Sequence, residues 1–265
     1  MSVGNNFFYT KSLPCSLWFF DKGKSEELQD KVLFVDARNY YTVVDRTLNE
    51  WSEWQLRNLN AIVWLYRGEA NKYQKLMQEY ADALIGMTHA LHESCVPLCS
   101  LLTEGAASHV RGNLWDADPA NDPDFKTLKE RLNWELEVIK KAVSISKEEL
   151  PKKQHKRIDQ AAEEFAAQIR EILLVLQERD WLVDKFGKGE YRDIPGLCKV
   201  ASRAEIAEKN YSLTPGAYVG VAAVEDDGVD FALRMGEIHS ELLKLQAESN
   251  ELMDTISKNM KEMGL

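Results

Sequence analysis

The sequence predicts a mainly α-helical protein with a small sheet fragment near its start and a coiled-coil helix at its end. Three observations predict it. Apolar residues recur at helical spacing through successive long segments, two short β-forming runs precede residue 40, and a heptad seam occupies the last thirty-odd residues.

The bulk composition narrows the function classes. With 265 residues, 45% of them hydrophobic, the chain is long enough to bury a core. Its 43 acidic against 33 basic side chains give a formal charge of −10, so the chain as a whole repels phosphate backbones, and any DNA contact would come through another subunit. Four cysteines, the lack of a signal peptide and the lack of an apolar run of spanning length predict a cytoplasmic protein with free thiols and no membrane association.

The β-forming runs are Ser16 to Phe20, ended by the charged turn Asp21 to Lys24, and Val32 to Val35, from whose carboxyl end Asp36 and Arg38 emerge. Both read as buried strands, and two strands cannot form a stable sheet alone. Something else must complete it.

Thr47 and Glu50 have capping-box spacing, and Trp51, Trp54, Leu59, Ile62 and Tyr66 follow at helical intervals to a stop near Gly68. Tyr73, Leu76, Met77, Tyr80, Leu84, Met87 and Leu91 mark a second helix, which Pro97 kinks or ends. Residues 105–121, rich in Gly, Asn, Asp and Pro, read as a linker or exposed loop, with Asp122 and Pro123 at the start of the next helix. The stripes Phe125, Leu128, Leu132, Leu136, Ile139, Val143 and Ile158, Ala162, Phe165, Ile169, Ile172, Leu176 flank Pro151 and predict a helical hairpin. Its basic tip, Lys152 to Arg157, reads as solvated.

Ser202 and Glu205 repeat the capping-box spacing, with Asn210 suited to the left-handed residue that ends the helix. Pro215 and Gly216 suit a type II turn, "AYVGVAAV" an extended segment, and "EDDG" the next helix cap. Phe231, Met235, Ile238, Leu242, Leu245, Ser249, Leu252, Ile256, Asn259 and Met263 then alternate spacings of four and three over more than four heptads. The candidate partner-binding residues are Phe231, Met235, Ile238, Leu242, Leu245, Leu252 and Ile256; an amphipathic helix folded onto its own domain has the same pattern. The chain is thereby divided into 1–68 with the strands and first helix, 69–200 with the helical pair, and 201–265 with the linker and terminal helix.

Candidate chemistry is sparse. "FGKGEY", Phe186 to Tyr191, resembles a glycine loop, but it follows a helical stripe instead of a buried strand and reads as a turn. His89, His92, Cys95 and Cys99 are spaced for one helix face, yet tetrahedral zinc needs a second element, so they read as buried or flanking side chains. No catalytic, cofactor-binding or metal-ligating residue is assigned.

Four tracts in order, "NNFFYTKSLPCSLWFFDKGK", "KVLFVDARNYYTVVDRT", "GEYRDIPGLCKVASRAEI" and "NYSLTPGAYVGVAAVEDD", followed by the heptad helix, resemble the C-terminal half of the modification (M) subunit of type I restriction enzymes, the N6-adenine DNA methylases. The resemblance implies an α/β S-adenosylmethionine-dependent methyltransferase fold whose last strands are Cys15–Phe20 and Val32–Val35. It implies S-adenosylmethionine as cofactor of the complete enzyme, and partners in the DNA-specificity (S) subunit, in an N-terminal methyltransferase half or second M subunit, and in a restriction (R) subunit. Ala217 departs from the arginine expected before the tyrosine, which removes any phosphate or partner contact that arginine makes. Adenine-N6 methylation needs a cofactor glycine loop and an Asn/Asp-Pro-Pro-aromatic motif to hold the flipped base. Neither occurs, and no Pro-Pro pair exists in the sequence. The expectation is therefore a catalytically incomplete chain, truncated or one piece of a split M subunit, with a self-associating coiled-coil protein as the competing reading.

Overall fold

The structure, a computed structural model, describes residues 1–8, 12–114, 125–221 and 231–262. By its contacts the chain divides into a body, Met1–Ala222, and a terminal unit, Ala223–Leu265.

The body opens with strands β1 (Ser2–Val3), β2 (Cys15–Ser16) and β3 (Lys31–Ala37), followed by a two-stranded ribbon of β4 (Thr42–Val43) and β5 (Asn49–Glu50). Helices α1 (Glu53–Tyr66), α2 (Ala70–Ser94), α3 (Val96–Cys99), α4 (Glu104–Leu114), α5 (Lys126–Glu149) and α6 (Lys152–Phe186) come next. Strand β6 (Cys198–Ser202) and the short helices α7 (Arg203–Glu208) and α8 (Gly216–Val219) finish the body, and α9 (Phe231–Glu262) forms the terminal unit. The sheet order is β2-β1-β3-β6, with β1 and β3 parallel and the other two pairs antiparallel.

Alternation along β3 explains why its run is apolar throughout. Val35 and Ala37 belong to the large core with α1, α2, α5 and α6, whereas Phe34 packs with Ala201, Ile206, Tyr218 and Val219 on the other face. Phe34 and Tyr218 stack with ring centroids 3.9 Å apart and planes within 5°. The expected strand Val32–Val35 is present, and Phe34 is internal, not part of an open edge. At the carboxyl end of β3, Arg38 forks onto Asp36, with Nη2 to Oδ2 at 2.7 Å. Gly4 is required beside them, because a Cβ there would sit 2.6 Å from the Arg38 carbonyl oxygen.

The other β run departs from expectation. Only Cys15 and Ser16 form strand β2, Leu17 exchanges backbone hydrogen bonds with Met1 just beyond it, and Trp18, Phe19 and Phe20 are 60%, 77% and 87% exposed instead of buried. The run is apolar enough for a core strand, but nothing among the described residues covers its outer part.

The cap of α1 lies five residues later than the Thr47–Glu50 spacing suggests. Thr47 is held by Asp45, whose Oδ1 accepts from its amide at 2.6 Å and its hydroxyl at 2.8 Å. Asn49 and Glu50 pair as β5, and Trp51 precedes the helix. Ser52 and Gln55 form the capping box, Gln55 N to Ser52 Oγ at 3.2 Å and Ser52 N to Gln55 Oε1 at 3.0 Å. Two successive box patterns occur in this tract, and strand pairing removes the first. Helix α1 ends before Gly68, whose φ is +75°.

Helix α2 forms as its stripe predicts and ends at Ser94, and Pro97 starts the single turn of α3 instead of kinking a longer helix. The expected loop at 105–121 is helical through Leu114. Ala106, Ala107 and Val110 of α4 are buried, while Gly105 and Gly112 have open space at the Cβ position. Burial of one small-residue face outweighs the low propensity of two glycines. The remainder of that loop, and the Asp122–Pro123 start, lie outside the described residues; α5 begins after Phe125, at φ +54°.

Helices α5 and α6 form the hairpin across Pro151, and Lys152, Lys153, Lys156 and Arg157 at its tip are exposed. Helix α7 carries the expected box, Glu205 N to Ser202 Oγ at 3.2 Å, and Asn210 takes φ +54° just beyond it. Pro215, at φ −51° and ψ −42°, opens the helical turn α8 in place of a type II turn and an extended segment. Proline fixes φ for both alternatives and leaves ψ to its surroundings, here the stacking of Tyr218 on Phe34. Residues 222–230, including the "EDDG" cap, lie outside the described residues.

Candidate subunit interface

Of the seven seam residues, six have described side chains. Met235, Ile238, Leu242, Leu245, Leu252 and Ile256 lie on α9 at exposures between 40% and 65%. Phe231 starts the helix, and its side chain, like that of Asn259, lies outside the described ones; Met263 lies beyond them altogether. Leu243, Met253 and Met260 are exposed as well, so the uncovered apolar surface is wider than the seam. An apolar helix face of this extent favours docking against another helix surface.

The body, by contrast, is tied together by a polar node that sequence reading did not find. Glu178 of α6 accepts from the Tyr40 hydroxyl, from Gln55 Nε2 at 3.0 Å and from Asn58 Nδ2 at 3.3 Å. Asn58 Nδ2 also donates to the Glu178 carbonyl oxygen at 2.9 Å, and Asn58 Oδ1 accepts from the Tyr80 hydroxyl at 3.0 Å. Tyr40 stacks on Trp181 and Trp54 on Tyr80, with centroids 4.1 and 4.2 Å apart. Burial, reinforced for Tyr40 by the adjacent carboxylate, pushes both phenols far above their ordinary range, so they act as fixed donors. The node joins the segment after β3 to α1, α2 and α6. No local spacing links its members, which come from the segment after β3 and from α1, α2 and α6.

Glu135 on α5 is 3% exposed, its Oε1 has no hydrogen-bond partner among the described residues, and burial raises its carboxyl to about 7 against a partial opposing pull from Arg131. The thiol-imidazole group gives no metal centre among the described residues. His89 is exposed, Cys95 and Cys99 are buried, and burial together with Cys99 pushes the Cys95 thiol up to about 11. The His92 side chain lies outside those described.

The glycine tract Phe186–Tyr191 is a turn that ends α6. Gly187 and Gly189 have φ of +53° and +99°, and the Tyr73 hydroxyl donates to the Gly187 carbonyl at 2.8 Å. A Cβ on Gly189 would lie 2.6 Å from the Tyr73 ring, so the position next to the turn is filled by protein. At Ala217, where the resemblance expects arginine, the backbone carbonyl accepts from Lys209 Nζ, and that ammonium lies 4.9 Å from the centre of the Tyr218 ring.

Among the described residues, the small sheet packs with the helices of the body, and α9 carries an exposed apolar stripe. The sequence model of the N-6 DNA Methylase family matches residues 1–82 and 135–227, and the chain belongs to that family. It is 43% identical over 74 residues to the type I restriction enzyme HindI methylase subunit of Haemophilus influenzae, a stretch that is 28% of this chain and 17% of that subunit. Over 101 residues it is 39% identical to the type I restriction enzyme MjaIX methylase subunit of Methanocaldococcus jannaschii, 36% of this chain and 18% of that one. The chain therefore spans less than a fifth of the length of these relatives. No solved structure matches it. Residues 83–134, which carry the end of α2, all of α3 and α4, and the start of α5, fall between the two matched segments.

Proposed function

We propose that this chain is the assembly portion of a type I DNA adenine-N6 modification methyltransferase. In this reading the body contributes the last strands of the catalytic α/β domain, and α9 docks the DNA-specificity subunit. The observation that carries the reading is the α9 stripe, six apolar side chains left exposed at heptad spacing in a member of the N-6 DNA methylase family. Methyl transfer from S-adenosylmethionine belongs to the complete enzyme. The glycine turn of this chain does not fit that cofactor, and no Pro-Pro pair is present to hold a flipped adenine, so the chain neither binds cofactor nor methylates alone. DNA is met through the complex, consistent with the charge of −10.

The test is affinity purification of the tagged chain from its native host, with mass spectrometry of what co-elutes. Recovery of a specificity subunit together with a methyltransferase polypeptide supports the assembly role. Recovery of the chain alone or as a symmetric oligomer refutes it in favour of a self-associating coiled coil, which the same exposed stripe would serve. Tight S-adenosylmethionine binding by the isolated chain in calorimetry would refute the claim of catalytic incompleteness.

A further inference from the structure

The polar node around Glu178 lies toward one end of α6, and the hairpin turn at Pro151 lies at the other. Unbroken helix runs from Lys152 at the turn to Glu178, about 39 Å at 1.5 Å per residue. That remote end concentrates positive charge in a chain whose total is −10. Residues 147–157 hold five lysine or arginine residues against Glu148 and Glu149. Lys147 is matched by Asp159, Nζ to Oδ1 at 2.8 Å. Lys152, Lys153, Lys156 and Arg157 are exposed, and among the described residues no carboxylate lies within ion-pair distance of them. Elsewhere on the same two helices, Lys129 is matched by Asp180, Lys140 by Glu137 and Arg170 by Glu163.

This cluster does not serve the helix that carries it. Lys152 with Lys156, and Lys153 with Arg157, are like-charge pairs one turn apart, an arrangement that destabilises a helix. Lys152 and Lys153 also stand in the first turn, where the macrodipole favours acids and α6 has none. With 3.6 residues per turn, the four cations fall within one sector of about 140°, so a single external surface can meet all of them. Leu150 is half-buried and Ile158 is fully buried, so the turn offers no exposed apolar anchor. Protein interfaces are depleted in lysine and centre on such anchors. A polyanion needs only the charge.

We propose that the turn between α5 and α6 is a contact site for the phosphate backbone of duplex DNA, with Lys152, Lys153, Lys156 and Arg157 as its cations; this rests on the function proposed above. Duplex DNA carries one negative charge per roughly 1.7 Å of axis, dense enough to engage all four at once. The chain belongs to the N-6 DNA methylase family and is otherwise acidic, so phosphates approach most favourably where its positive charge is gathered. Lysine contacts to phosphate carry no base information. The turn therefore adds affinity and leaves the choice of target to other residues.

The experiment uses the complex that co-purifies with the full tagged chain from its host, and a fluorescently labelled duplex of mixed sequence as the probe. One variant combines Lys152→Gln, Lys153→Gln, Lys156→Gln and Arg157→Gln; all four side chains are exposed, so its melting temperature should hold. Across about 50–200 mM salt, the slope of log affinity against log salt should become shallower by about 2–4, with affinity at least tenfold weaker near 100 mM. The pairs Lys152→Gln with Lys153→Gln, and Lys156→Gln with Arg157→Gln, should each give about half that change in slope. Lys152→Arg with Lys153→Arg and Lys156→Arg keeps the charge and should keep the slope. An unchanged slope in the glutamine variants overturns the contact and leaves the assembly function standing, as does a wild-type complex that does not bind the duplex. Loss of a polypeptide from the fourfold variant with the slope unchanged also overturns it, in favour of docking to an acidic protein. Failure of the wild-type chain to recover any methyltransferase polypeptide overturns both proposals.

Discussion

Helices α6 and α9 carry nearly the same apolar rhythm and meet opposite fates. On α6, Ile158, Ala162, Phe165, Ile169, Ile172 and Leu176 are all buried, each at 8% exposure or less. On α9, Met235, Ile238, Leu242, Leu245, Leu252 and Ile256 stand open. Periodicity thus establishes that a helix has a face to cover, and it is silent on who covers it. For α6 the cover is encoded nearby, in the facing stripe of α5 and in the node around Glu178. For α9 none appears among the described residues.

The largest effect that would test this contrast is on α6. Ile169→Ala removes fully buried methyl and methylene groups and should cost about 2–5 kcal/mol, seen as a lowered midpoint in denaturant, whereas Leu245→Ala on α9 should change the midpoint by less than about 0.5 kcal/mol. Equal losses would break the comparison, because α9 would then be covered within the chain.

Next comes the buried carboxyl on α5. Its folded pKa of about 7 lies above the ordinary glutamate value of 4.5, so Glu135 is accommodated fully below that lower value, and stability is lost as pH rises through about 7. Glu135→Gln should therefore stabilise the body at pH 8 by an amount on the order of 2–3 kcal/mol, with the advantage shrinking toward pH 4.5. Thermal melts across that range check the sign, and a constant difference would show that Glu135 keeps its charge at no cost. Smaller still is Ser202→Ala, which removes the cap of α7 and should lower stability by about 1 kcal/mol in denaturant titrations.

Leu242→Asp with Leu245→Asp should have the smallest effect on folding, within about 0.5 kcal/mol, since both side chains are exposed. The same pair should abolish co-purification of the specificity subunit. Binding that survives would mean the α9 seam is not the docking surface.

What the sequence disclosed follows the same division. Stripes with a partner stripe close by, as in α5 and α6, were legible, as were the local devices at Ser202, Glu205 and Asn210, whose hydrogen bonds and φ depend on neighbours a few residues away. Misread features were decided by distant residues. Asn49 leaves a helix start for a strand because Asn5 O and Asn6 O take its side chain and amide at 2.9 and 2.8 Å. Pro215 enters a helical turn beside Tyr218, which stacks on a residue of β3. The node at Glu178 was invisible because its members are spread over α1, α2 and α6, and no local spacing links them.

That spread has a consequence in time. Tyr40 and Glu178 are separated by 138 residues, and chains grow on the ribosome at about 5–20 residues per second. Once Tyr40 has been made, roughly 7–30 s of synthesis pass before its carboxylate partner exists. Through that interval Val35, Ala37 and the apolar face of α1 have no α6 to pack against, and apolar surface left open in a partly made chain is prone to aggregate.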